Sequence, residues 1–332
     1  MQMKEKKKLK LWHGILAIIV SAVILFWISP YITAYIGLYS TPVYEGLMVL
    51  ACVGIVLIFQ GDLKKVFPFQ RPKPSRIFGT LFFWAGCYGV TMIISVFMLV
   101  LFPEEMTSTS QGLSSYFSSV SFFASMLLVS ITPAICEELI FRGVILNSFH
   151  GSMNKWAVII VTSVVFGAFH GSIWRFFPTT ILGIAMSYIL YETGNMFYNM
   201  LFHAVNNAIP IIMIFALEAL YSAVNLDELV NEAGTVSTET ISYPIGTVGI
   251  YLIFGGVAAF LLYIGNHLLH LGGPGYQNGL FPKEKRKILF LLIGITVACV
   301  VIGIGLFVYT VFSQQDLIQK ILDSAMWIRS IS

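Results

Sequence analysis

Charge is what this sequence has least of. Asp, Glu, Lys and Arg make up 11% of its 332 residues, against 57% hydrophobic. A soluble domain carries about 25% charged residues. No single aqueous core could hide so much apolar side chain, so lipid is the solvent for most of the chain, in keeping with a mean hydropathy of +0.85. Cysteine is also scarce. Cys52, Cys87, Cys136 and Cys299 all fall in apolar runs and form no CxxC pair, which excludes a disulfide framework and a thiolate metal site and leaves them as small buried hydrophobes. There is no basic run interleaved with exposed aromatics, so nucleic acid is excluded as a partner. No internal repeat is visible. No GxSxG elbow surrounds Ser163 or Ser187, which argues against a serine triad, and there is no HExxH.

What the chain does have is long apolar runs. A helix needs about 20 apolar residues to cross the hydrocarbon. Candidate spans are 11–29, 43–60, 77–102, 122–146, 156–171, 177–191, 196–217, 245–268 and 288–312, the fifth and sixth being short. The fold class expected is all-α: a polytopic transmembrane bundle of about eight to nine spans. The start, MQMKEKKKLK, leads into an apolar run from Leu11 to Ile28 without a small-residue cleavage site, and reads as a retained first helix. Pro30, Pro42, Pro103 and Pro178 stand at or near span ends, where a missing N–H costs least.

Lys and Arg collect on the cytoplasmic side of membrane proteins. With the N-terminus inside, the segments 1–10, 61–76, 147–155, 192–195 and 269–287 hold 15 of the 19 Lys and Arg residues. Arg175 falls in an outer segment and Arg142 inside a span. The expected location is therefore an integral, multi-pass protein of the bacterial plasma membrane with a cytoplasmic N-terminus. The chain divides into N-terminal helices (1–110), a central group (111–220), and a polar outer loop with C-terminal helices (221–332). The loop at 222–244 carries Asp227, Glu228, Glu232 and Glu239. His267 and His270 stand three apart near an inner end and read as interfacial.

A charge at the bilayer centre costs at least about 2.5–3.5 kcal/mol on insertion scales. The few ionisable groups inside spans are therefore functional candidates: Glu137, Glu138, Arg142, His170 and His203, with Asn206 and Asn207 beside the last. At about 1.5 Å per residue from the inner helix ends, Glu137 lies about 15 Å deep, His170 about 22 Å, His203 about 12 Å and Asn207 about 18 Å. Three helices thus bring polar groups to overlapping depths. Glu138 and Arg142 are four apart and can pair. Glu137 is turned about 100° away and is left to face another helix. His203 and Asn207 share a face. Together these groups comprise a base, a proton shuttle and hydrogen-bond donors, the kit for adding water to an amide carbonyl.

The ordered set Glu137-Glu138-x-x-x-Arg142, Phe166-x-x-x-His170 and His203-x-x-x-Asn207 resembles the CPBP family, the CAAX-type intramembrane endopeptidases related to bacteriocin-processing proteins. It covers roughly residues 120–215. The resemblance implies a helical bundle around a conical cavity, with the site recessed from one face, which the topology suggests is the cytoplasmic one. It implies that Glu137 activates water with His170, that His203 and Asn207 form an oxyanion hole, and that Glu138 and Arg142 support the site as an ion pair. The partners implied are a peptide or protein substrate and the bilayer. No cofactor is expected. Two His and one Glu offer zinc ligands, but Asn at the third motif is a poor one, so metal-independent hydrolysis is favoured over a zinc-dependent version. The competing readings are a non-catalytic immunity or scaffold protein that keeps the polar cluster, and a transporter with a buried proton relay.

Overall fold

A computed structural model describes residues 6–106, 108, 112, 119–224, 245–273, 276 and 279–313. The polar loop expected at 222–244 lies almost wholly outside them. Among the described residues the chain is helical throughout, with no strand beyond isolated bridges. Seven stretches are long and apolar enough to cross a membrane.

The first of these, Leu11–Ile58, is a hairpin. α1 (Leu11–Val23) runs through a wide π turn into α2 (Ser29–Ile36), which ends at Gly37. There φ is +61°, a conformation open to glycine, and the chain reverses into α3 (Thr41–Ile58). Ser21 Oγ lies 3.6 Å from Cys52 Sγ across the hairpin, and the Lys7 N–H donates to the Gln60 carbonyl at 2.9 Å. The two arms account for two of the expected spans.

The other long helices are α4 (Pro74–Leu101), α5 (Phe122–Phe149), α7 (Ile173–Thr193), α8 (Met196–Val224), α9 (Ile245–His270) and α10 (Arg286–Ser313). Between α5 and α7 lies the shorter α6 (Lys155–Ala168), whose 14 residues reach about 21 Å against the roughly 30 Å of hydrocarbon. With hairpin arms and short helix counted separately, the chain follows the expected order of spans. α7 begins earlier than its hydropathy indicated, so Pro178 lies inside it and not at its end.

The predicted inner segments share one face. Asn147 Nδ2 donates to the Lys65 carbonyl at 3.0 Å, and Asn195 Nδ2 to Gln70 at 2.9 Å. Arg76 donates to the carbonyls of Thr193 (3.2 Å) and Leu269 (3.1 Å). Lys155 pairs with Glu192, whose other oxygen meets His270 Nε2 at 2.7 Å. His267 is taken up by the Tyr276 hydroxyl at 3.0 Å. Both histidines are thus interfacial, each with its own partner. α9 packs along α4 closely enough that a Cβ on Gly265 would meet Phe83 N at 2.5 Å, and α10 packs in turn on α9. Cys52 and Cys87 are buried, Cys136 and Cys299 half-buried, and all four are free thiols.

Candidate active site

α5 carries the first motif, and its backbone departs from a regular helix on both sides of it. Wide π turns span Met126–Ile131 and Leu139–Ile145, with α-helix at Thr132–Glu138 between them. Such turns concentrate at functional sites because they re-aim side chains without breaking the helix. Pro133 has no N–H, so the Val129 carbonyl one turn before it loses its usual α-helical donor. The Asn207 amide of α8 fills that role, donating to Val129 O at 2.9 Å. Ser130 Oγ returns a bond to the Ala204 carbonyl at 2.8 Å. α5 and α8 are thereby fixed in register beside the motif.

Arg142, 1% exposed, donates to Glu138 Oε1 at 3.0 Å and to the Gly183 carbonyl of α7 at 3.1 Å. Its guanidinium lies 4.3 Å over the Phe166 ring. The expected ion pair is present, and it is also a bracket between α5, α6 and α7. The same Glu138 oxygen meets His203 Nδ1 at 2.9 Å, so the imidazole is oriented by a carboxylate that a guanidinium already holds. The other ring nitrogen, His203 Nε2, faces Glu137 Oε2 at 3.8 Å, beyond a direct hydrogen bond. The two acids of the motif thus address opposite edges of one imidazole. Glu137 Oε2 makes no hydrogen bond among the described residues.

α6 ends inside the bundle because it is too short to cross it. His170, just past that end, uses Nδ1 to reach the Phe166 carbonyl at 3.0 Å. A carbonyl only accepts, so Nδ1 carries the proton and Nε2 is left as the basic nitrogen. Asn207 has one N–H on Val129 O, while its carbonyl accepts from Asn206 Nδ2 at 3.2 Å; one donor remains.

A cavity of about 450 Å³ is lined by Glu137, His170, His203, Asn206 and Asn207, with Phe141, Phe166 and Phe169. All four expected catalytic residues meet there. Glu138 and Arg142 stand behind it. Ser163 and Ser187 lie elsewhere, with their hydroxyls 3.4 Å apart and that of Ser163 on the Ile159 carbonyl, which is a structural arrangement.

Three features differ from the sequence reading. The cavity is lined by Leu25 from the π turn after α1, and at one end by Thr41 and Tyr44 just past the turn of the hairpin and by Arg175 and Thr179 from the start of α7. These are helix ends remote from the basic face. The cavity thus reaches helix ends opposite the basic segments, whereas the topology suggested a site recessed from the basic side. Second, Arg175 belongs to the first turn of α7 and lines the cavity; hydropathy placed it in a loop because α7 was started too late. Third, Glu45 of α3 lines the cavity, 3% exposed, with Oε2 lacking a partner. It is an ionisable group inside a span, and the rule that picked out Glu137 applies equally to it. It falls within the span expected at 43–60 but is not among the residues picked out there from the sequence.

Zinc needs ligands that converge. Among the described residues no three His, Cys, Asp or Glu side chains are grouped to hold a metal ion. Glu138 Oε1 is already held by Arg142 and His203, and Asn207 is turned to Val129. The donor set does not fit zinc.

Residues 119–209 match the family model described as Type II CAAX prenyl endopeptidase Rce1-like. A protein of Bacillus subtilis (strain 168) named “Putative membrane peptidase YdiL” is 21% identical over 188 residues, covering 53% of this chain and 73% of that one. No solved structure matches.

Proposed function

We propose that this chain, whose residues 119–209 match the Rce1-like CAAX endopeptidase model, is an intramembrane endopeptidase of the CPBP type that cleaves a peptide or protein substrate at the membrane by metal-independent addition of water. Glu137 takes a proton from a water that His170 Nε2 helps to orient. The hydroxide adds to the scissile carbonyl carbon. The oxygen that becomes negative is met by the remaining N–H of Asn207 and by His203 in its doubly protonated form, with Nδ1–H on Glu138 and Nε2–H on that oxygen. Collapse breaks the C–N bond and the amine leaves with a proton. Glu138 and Arg142 touch no reacting atom in this scheme and hold His203 in place.

The observation that carries the reading is that Glu137 and Glu138 flank a single imidazole in a cavity that His170 and Asn207 also line. The site resides in the lipid-crossing part of a chain whose basic segments share one face. We place that face in the cytoplasm of a bacterial cell, with the cavity reached from the other side. The test is substrate trapping. Membranes from cells expressing Glu137→Ala are compared with wild type by mass spectrometry of accumulated peptides. Glu137→Ala and His170→Ala are each expected to lower cleavage by about 10³-fold or more, with expression and monodispersity unchanged. Cleavage that survives in Glu137→Ala rejects the mechanism.

A further inference from the structure

In the proposed centre Glu137 holds the proton taken from water, and a second acid in the cavity would let the departing amine be protonated without Glu137 having to turn from base to acid. Glu45 is the group placed to serve as that acid. It comes from α3, which packs against the α5 segment that carries Glu137. It lines the same cavity, is 3% exposed, and has an enclosed oxygen that makes no hydrogen bond among the described residues, as Glu137 has.

The charged and titratable neighbours bear on how these two acids behave. Tyr44 precedes Glu45 on α3. Cys136, Glu137, Glu138 and Arg142 come from α5, His170 follows α6, Arg175 is on α7, and His203 is on α8. Arg142 is committed to Glu138. Arg175 forms no salt bridge with either free carboxyl among the described residues, its side chain being exposed at the cavity's outer end. Two carboxylates in a poorly solvated site cannot both stay ionised cheaply, and sharing a proton gives one acid and one base.

We propose that Glu45 is the second carboxyl of the centre, sharing one proton with Glu137 and delivering it to the leaving amine. The step rests on the protease reading above, and it balances. Water gives a proton to the Glu137 carboxylate, and hydroxide adds to the carbonyl carbon. As the C–N bond breaks, the Glu45 carboxylic acid protonates the amine nitrogen and becomes a carboxylate. The proton on Glu137 then passes to Glu45 through the cavity and restores the starting state. No further reactant is required.

Two measurements test it. The first needs no substrate. A protonated carboxyl has a carbonyl stretch distinct from that of a carboxylate. Infrared spectra of purified wild type at neutral pH are expected to contain that band, and Glu45→Gln to lose it. A wild type without the band, or a Glu45→Gln that keeps it, overturns the proposal.

The second uses a degenerate pool of quenched-fluorescent peptides, and the same pool with a thioester in place of the scissile amide. A thiolate leaves without a proton. Glu45→Gln is expected to slow amide cleavage about 100-fold and thioester cleavage less than about tenfold, while Glu137→Gln stops both. Wild-type amide cleavage falls at high pH as Glu45 loses its proton, and that limb is absent in Glu45→Gln. Equal losses on both pools mean a structural role and overturn the proposal. Glu45→Asp keeps a carboxyl, and is expected to retain the wild-type ratio between pools should Glu45→Gln fold poorly. A wild type that shows the band but cleaves neither pool overturns the protease reading, and the delivery step with it.

Discussion

Arg142 is the residue on which the site depends most without touching its chemistry. It is buried, and its partners Glu138 and the Gly183 carbonyl lie on two helices. Removing one member of a buried ion pair leaves the other charge uncompensated, at a cost of about 3–5 kcal/mol. Arg142→Met is therefore expected to lower thermal stability in detergent by that amount. Arg142→Met combined with Glu138→Gln is expected to recover part of it, because no lone carboxylate remains. If the double variant is no more stable than Arg142→Met, the pair does not carry the energy assigned to it. Arg142→Lys is not a conservative change here, since an ammonium lacks the planar fork that reaches Glu138 and Gly183 together. The pairing of Glu138 with Arg142 was legible from their four-residue spacing. That the same carboxylate also orients His203 was not, because sequence carries no distance between α5 and α8.

At the scale of elements, the bundle consists of a site-bearing part and a supporting part. The cavity draws on α1 through its π turn, α3, α5, the end of α6, α7 and α8, whereas among the described residues α9 and α10 contribute none to its lining. A division at residue 110 therefore does not isolate the site, since Glu45 and Thr41 reach it from the first hairpin. The supporting part is held by close backbone approach. Gly249 and Gly303 face each other so that a Cβ on either would meet the other's carbonyl oxygen at 2.5 Å. In lipid, where hydrophobic association between helices is weak, such small-residue contacts do much of the packing. Gly303→Val is expected to force α10 away from α9 and lower the melting temperature in detergent, while the folded fraction keeps wild-type cleavage per molecule. Loss of specific activity would show that α10 reaches the centre. The proline at 133 was visible in the sequence. Its consequence, a Val129 carbonyl served by Asn207, needed the packing of α8 against α5.

For the whole molecule the decisive quantity is sidedness. The basic ends gather on one face, and the cavity reaches helix ends at the other. Single cysteines in a background lacking Cys52, Cys87, Cys136 and Cys299 report this with a membrane-impermeant maleimide applied to intact cells. Ser172→Cys, beside the cavity's outer end, is expected to label from outside, and Ser152→Cys, on the basic face, only after the membrane is opened. The reverse pattern would turn the molecule over and admit substrate from the cytoplasm.

The sequence by itself determined the solvent, the helical class, the order of the spans and the residues too costly to leave in lipid without a task. Each of these follows from local quantities: transfer energy, helix length and the rise per residue. Only the tertiary structure decided which face the cavity adjoins, that Glu45 and Arg175 line it, and that Glu137 and Glu138 address opposite edges of His203. Those outcomes depend on where a short helix stops and how two π turns rotate α5 against α8. Such rotations cost little along one chain and are settled by the packing of several.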